Sequence, residues 1–221
     1  MTTRRTYDDA CAAAHGLDLV GERWALLVVR ELVLGPKRFT DLRAGLPGIS
    51  PNVLTQRLED LEEAGIVHRR RLPPPAPAWV YELTEWGLGL EGVLTALGRW
   101  AARSPYRPQD GSLGIDSLVL SLRAMFDPQA AEGIDVRVEL RLGDDRFRAQ
   151  VCGGRLHVER GACQRPDAVL QADPNVLAGV LYGGRKLGQA LREGDVAVQG
   201  DKAAARRFIA LFPPPEPAIA A

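Results

Sequence analysis

The chain has 221 residues, 46% of them hydrophobic and 25% charged, enough to bury one large or two small cores. Lys and Arg together number 28 and Asp and Glu 28, so bulk charge excludes histone-like binding and any nucleic-acid contact must come from a local patch. Three cysteines without a Cys-x-x-Cys pair exclude a disulfide scaffold and a thiol-rich zinc site. No apolar run has the length of a membrane span, and the first residues place acids and a histidine where a leader would be apolar. The expectation is a cytoplasmic protein.

Residues 7 to 103 follow a helical period, whereas 134 to 172 alternate apolar and polar residues between glycine turns. The segment 104 to 114, SPYRPQDGSLG, suits an exposed connection. The expected boundaries are a first domain at 1–104, a linker at 105–114, a second domain at 115–212 and a proline-rich tail at 213–221, expected to fray. Tyr7 to Val20 is expected to form one helix. A second, apolar almost all round from Trp24 to Val29, is stopped by Gly35 and Pro36. A short helix follows in FTDLRAGL, with Thr40 as N-cap and Asp41 in the first turn.

The next helix is the best signed. Ser50 is an N-cap, Pro51 fits the first helical position, Ile49 and Leu54 can staple the entry, and Gly65 can end it in a left-handed conformation. Leu54, Leu58 and Leu61 form one stripe, so Asn52, Thr55, Gln56, Glu59 and Glu63 face the other way. Amides and a hydroxyl at the N-terminal end and carboxylates at the C-terminal end suit a helix inserted end-on into a major groove. An ordinary solvated face is the plainer reading. The surroundings favour DNA: Lys37, Arg38, Arg43 and Arg57 stand against Asp41 alone, and Arg69, Arg70 and Arg71 lie in 66–81 without an acid. IVHRRRL and WVYELT, joined by PPPAPA, complete a hairpin wing whose arginines can reach phosphates.

The segment from Gly21 to Arg70, followed by YELTEWG, resembles the HxlR-type transcriptional regulators, a winged-helix group related to the MarR type. Trp24, Arg38-Phe39, Pro47-Gly48-Ile49-Ser50, Leu54-Thr55-Gln56 and Leu83-Thr84 carry the resemblance, over about residues 7 to 103. It implies a homodimer on a double-stranded operator that is an inverted repeat. The Thr84 to Arg103 helix, with Leu90, Val93, Leu94, Leu97 and Trp100 on one side, and the Tyr7 to Val20 helix are the expected dimer contacts. Base contacts are expected from Asn52, Thr55 and Gln56, phosphate contacts from Arg38, Arg57, Arg69, Arg70 and Arg71. Cys11 lies where many members carry a cysteine, sometimes a redox-sensing thiol, although the proline that usually follows is Ala12 here. Gly87 to Gly92 matches G-x-G-x-x-G, but no βαβ unit surrounds it.

In the second half a helix in DSLVLSLRAMF is followed by strands at VRVELRL, RFRAQVC, RLHVER and DAVLQA, then a helix from Pro174, a short helix, the strand VAVQG and a closing helix. Val136, Val138, Leu140 and Leu142 point inward and Arg137, Glu139 and Arg141 outward. REGDVAVQGDKAAARRFIALF looks like the closing strand and helix of the sterol carrier protein 2-like fold. That resemblance, over about 112 to 212, implies an apolar cavity, with Val136, Val138, Leu140, Phe147, Leu177, Val180, Leu181, Leu187, Leu191 and Phe208 as its lining. Plain core is the alternative for each. The expected class is α+β: a winged helix-turn-helix followed by a sterol carrier protein 2-like domain. No cofactor, metal or enzyme chemistry is expected: the histidines are isolated, and neither G-x-S-x-G nor H-E-x-x-H occurs. The rival functions are a lipid-handling or enzyme-tethering module whose winged helix only dimerises, and a regulator switched at Cys11.

Overall fold

The computed structural model describes residues 6–75, 77–106 and 111–218. Part of the expected linker, 107–110, the end of the tail, 219–221, and Ala76 at the wing tip lie outside the described residues. The chain forms two compact units, Met1–Leu94 and Thr95–Ala221. No helix of the described residues is long and apolar enough to cross a membrane.

The first unit opens with α1 at Ala12–Val20, shorter than the helix expected from Tyr7. Aspartates divert the entry: Asp9 accepts a hydrogen bond from the Cys11 amide at 2.9 Å, and Asp18 reaches back to the Tyr7 amide at 3.0 Å. Helix α2, Ala25–Leu32, follows Trp24, which sits at φ 78°. A left-handed tryptophan is strained, and its ring comes within 3.9 Å of where a Cβ on Gly48 would stand. Helix α2 buries Ala25, Val28, Val29 and Leu32 but leaves Leu27 exposed.

Helix α3, Phe39–Gly45, is capped from Arg38 rather than Thr40. The Asp41 carboxylate accepts from the Arg38 amide and from the Thr40 hydroxyl, so the hydroxyl faces the carboxylate inside the first turn. Helix α4, Pro51–Glu63, follows its signals: Ser50 Oγ accepts from the Val53 amide at 3.3 Å, and Gly65 takes φ 70°. Leu54, Leu58 and Leu61 are buried, with α4 packed against α2, α1 and the first wing strand.

The wing pairs β1, Val67–Arg71, with β2, Trp79–Leu83, in antiparallel register from Val67 opposite Leu83 to Arg71 opposite Trp79. Lys37 adds a backbone bridge, its amide donating to Tyr81 at 3.0 Å and its carbonyl accepting from Tyr81 at 2.8 Å. The expected single helix from Thr84 divides into α5, Glu85–Leu88, and α6, Leu90–Ala101, because the Gly89 amide turns back to Trp86 and ends the first piece. Thr84 Oγ1 donates to the Gly65 carbonyl at 2.7 Å and accepts from the Gly87 amide at 3.0 Å. A Cβ on Gly87 would lie far inside contact distance of the Ile66 carbonyl. Close packing is what that glycine serves.

The second unit takes the rest of α6 and continues with α7, Ile115–Met125. Strands β3, Val136–Leu142, β4, Asp145–Cys152, and β5, Arg155–Arg160, form a meander. Strand β6, Ala168–Ala172, returns beside β3 in parallel, and after helices α8, Pro174–Leu181, and α9, Leu187–Glu193, the edge strand β7, Val196–Gly200, pairs with β6. The order is β5-β4-β3-β6-β7, and α10, Lys202–Ile209, lies across β3, β6 and β7. Strict alternation puts Val136, Val138, Leu140, Leu142, Phe147, Ala149 and Val151 on the covered face.

Glu139 departs from the expected outward set. It is 3% exposed, accepts from Arg141 Nε at 2.7 Å and from the Cys163 amide at 2.8 Å, and so pins the 161–167 loop over the sheet. Burial opposes its ionisation, but those two donors together with the charges of Arg141 and Arg146 hold the carboxyl below its ordinary value. The tail, expected to fray, folds back through Ala218: its amide donates to the Arg103 carbonyl at 2.7 Å, while Arg103 Nε donates to the Glu216 carbonyl at 3.0 Å.

Candidate nucleic-acid interface

Helices α3 and α4 meet through the turn at 46–50, where Leu46 and Ile49 are buried and Gly48 takes φ 91°. With its leucine stripe buried, α4 exposes Asn52, Val53, Thr55, Gln56 and Glu59. Val53, 39% exposed, was not among the expected contacts. Its place three residues before Gln56 was the available signal, since an exposed apolar side chain among amides can meet a thymine methyl. Gln56 Nε2 donates to Asp60 at 2.9 Å, a contact that orders the side chain along the helix.

The five expected phosphate arginines are not equivalent. Arg57 is turned back into the protein, with Nη2 3.1 Å from Asp60 and Nη1 3.6 Å from Glu22, and its side chain is only 16% exposed. Arg70 pairs with Glu82, which His68 also approaches at 3.6 Å. The Arg70 hydrogen bond holds the Glu82 carboxyl below its ordinary value. Arg69 lies over Trp79 at 4.6 Å and Tyr81 at 5.9 Å. Arg38 and Arg71 are exposed and have no acidic partner among the described residues; the same holds for Arg43. The sequence counted charges, whereas the cross-strand register decides which of them are neutralised.

Beneath this surface lies a buried charge. Glu31 on α2 is 3% exposed and accepts from Lys37 Nζ at 2.6 Å and Arg30 Nη2 at 2.8 Å. The carboxylate occupies the space a side chain on Gly45 would fill, at the end of α3. One group thus fixes α2, α3 and, through the Lys37 bridge, the wing.

On α5 and α6, Trp86, Leu88, Val93, Leu97 and Trp100 are exposed while Leu94 is buried. Cys11 is exposed at the start of α1, and the amides of Ala14 and Ala13 lower its thiol pKa. The other two thiols are shifted the opposite way, Cys152 by its hydrogen bond with Asp135 and Cys163 by burial. Among the described residues no group of three or more His, Cys, Asp or Glu could hold a metal ion.

In the second unit Val136, Val138, Leu140, Phe147, Leu177, Val180, Leu181 and Phe208 are buried, with Leu187 and Leu191 half-buried beside them. Phe208 and Phe212 stack edge-on at 5.0 Å. An open cleft lined by Pro128, Gln129, Glu132 and Asp135 holds none of the ten expected cavity residues.

The HxlR-like helix-turn-helix family matches residues 19–108, and a family described as alkyl sulfatase C-terminal matches 112–219. The HTH-type transcriptional regulator YvaP of Bacillus subtilis is 36% identical over 85 residues, 38% of this chain and 79% of its own length. YodB of the same organism, also an HTH-type transcriptional regulator, is 40% identical over 83 residues, 38% of this chain and 74% of its own. A solved double mutant of the sec-alkyl sulfatase PisA1 is 19% identical with a TM-score of 0.42, covering 49% of this chain, which spans only 17% of that enzyme. The first domain has the helices and hairpin of a winged helix-turn-helix, and it covers most of the length of those two regulators. The chain therefore belongs to the HxlR-like helix-turn-helix transcriptional regulators.

Proposed function

We propose that this chain is a dimeric DNA-binding regulator that reads an inverted-repeat operator with α4 and holds an apolar small molecule in its second domain. The observation that carries the DNA half is the exposed row Asn52, Thr55 and Gln56 on a helix whose opposite stripe is buried, flanked by Arg38, Arg43 and Arg71, which have no acidic partner among the described residues. Those three residues contact bases. Arg38 and Arg71 contact phosphates, Arg69 serves from the wing, and Arg57 and Arg70 stay paired with their acids and contribute little net charge to the interface. The exposed apolar side of α6, with Val93, Leu97 and Trp100, supports a second copy as its cover.

The test is selection of duplexes from a random pool by the full chain, followed by affinity measurements on single-base variants. Gln56→Ala should cost about 1 to 3 kcal/mol at one base pair of each half-site and little elsewhere. A loss spread evenly over all sequences would remove Gln56 from base reading, and selection of an unpaired half-site would overturn the dimer.

The second domain is an α+β sheet-and-helix fold. We take its covered face as sterol carrier protein 2-like, with the ten apolar residues from Val136 to Phe208 opening around a ligand such as a dodecyl chain. Dodecyl sulfate or dodecanol below its micellar concentration, titrated with and without the selected duplex, tests this. Affinities differing by about fivefold or more, reciprocally for DNA and ligand, are expected. Equal affinities would leave the domain as plain core.

A second reading has its own observation. Cys11 is exposed, and its thiol is lowered where the other two are raised, so a thiol switch at the start of α1 is consistent with it. DNA affinity that falls on mild oxidation in the wild type but not in Cys11→Ser would support that reading.

A further inference from the structure

Arg69, Trp79 and Tyr81 share one face of the wing. Side chains alternate along β1, so Arg69 and Arg71 project from one face and His68 and Arg70 from the other. Tyr81 stands directly across from Arg69, and Trp79 lies diagonally from it, opposite Arg71. The Arg69 guanidinium is 4.6 Å from the Trp79 ring centre and 5.9 Å from that of Tyr81, both within cation–π range. Tyr81 is half-buried and fixed at its backbone by Lys37, so it is a firm base, whereas Trp79 is 53% exposed. A large aromatic left that open does little for the core. What it does is flatten the arginine against the strand. Across the ribbon Arg70 is tied to Glu82, so the two faces differ: one carries a neutralised pair, the other an ordered guanidinium that no acid engages among the described residues.

A guanidinium stacked on rings has shed part of its water and lost its rotamer freedom before DNA arrives, and it keeps its edge donors free. Those are the properties that favour entry into a narrow minor groove, where the potential is most negative and where a strongly hydrated or mobile cation is at a disadvantage. We propose that Arg69 is the wing's specificity-determining residue, sensing minor-groove width and the exocyclic amine of guanine in the sequence flanking each half-site, and that Trp79 is the positioning residue that holds it there. This rests on the DNA-binding reading above. The partner chemistry is duplex DNA rather than a free anion, because a stacked, edge-presenting guanidinium suits a groove floor lined with acceptors.

The experiment uses the full-length chain and a duplex selected from a random pool, with the flank outside the half-sites built in two forms, G·C and inosine·C. Inosine is guanine without the 2-amino group, so the major groove is unchanged while the minor groove becomes A·T-like. The wild type should prefer the inosine flank by about fivefold or more, the scale of a single discriminated base pair. Arg69→Ala and Trp79→Ala should both bring that ratio to about one while keeping the half-site preference, and Trp79→Phe should retain part of it. Trp79→Ala leaves the charge in place, so its salt dependence should match the wild type. Circular dichroism on each variant confirms the fold, and the Phe variant keeps the test informative if Ala perturbs the ribbon. A flank ratio in Trp79→Ala equal to that of the wild type overturns the positioning role. Uniform loss on both flanks by Arg69→Ala makes Arg69 a phosphate contact and overturns the groove role. If the chain selects no sequence at all, the DNA-binding reading falls and this inference with it, an outcome distinct from the other two.

Discussion

Changing Arg38 and Arg71 together to Ala should flatten the dependence of log affinity on log salt by ~1.8, about 0.9 for each phosphate that is no longer neutralised. Over a fourfold range, from about 50 to about 200 mM, the wild type should then lose roughly 12-fold more affinity than the double variant. The choice of residues follows from the ion pairs. Arg38 precedes α3, Arg71 ends β1, and both are exposed without an acidic partner among the described residues. In a chain whose 28 basic and 28 acidic residues cancel, such local cations have to supply the attraction. Arg70→Ala is the internal control. Its guanidinium is bonded to Glu82, so removing it should lower affinity slightly through the released carboxylate and leave the slope unchanged. A slope that falls as much for Arg70→Ala as for Arg71→Ala would mean that the Glu82 pair opens on DNA. Equal slopes for the wild type and the Arg38/Arg71 variant would take both residues out of the interface.

Features set within a few residues of the chain were legible in the sequence. Ser50, Pro51 and Gly65 mark both ends of α4, and the leucine spacing fixes which side it buries, so the row Asn52, Thr55 and Gln56 could be named in advance. Likewise the alternation in 136–142 gives β3 and its covered face. What escaped was decided across the chain. Arg57 looks like any basic residue on a helix until Glu22, from the loop before α2, stands beside it. Nothing in 136–142 announces that β6 will lie parallel to β3, or that the 161–167 loop will place an amide on Glu139 and bury it. Trp24 at φ 78° and the division of α5 from α6 at Gly89 also answer to packing and local bonding that propensity does not encode.

Glu31→Ala is expected to destabilise the first domain by about 3 kcal/mol, the lower end for breaking a buried ion pair, because Lys37 and Arg30 keep some access to water. For a domain of this size that is a fall in melting midpoint of roughly 12 °C or more, read as the separate transition of the first domain in calorimetry or as loss of its urea midpoint. The sharper measurement pairs this change with Gly45→Ala. In the wild type a Cβ at Gly45 collides with the Glu31 carboxylate, and the carboxylate cannot retreat without giving up Lys37, whose backbone holds Tyr81 of the wing in both directions. Gly45→Ala alone should therefore cost about 1 to 3 kcal/mol. With Glu31 shortened to Ala the space is empty, and the same substitution should cost almost nothing. The double-mutant cycle should then show a coupling of about 1 to 3 kcal/mol between residues on different helices. Strictly additive losses would mean that the carboxylate moves aside freely, and Glu31 would then hold Lys37 without fixing the end of α3.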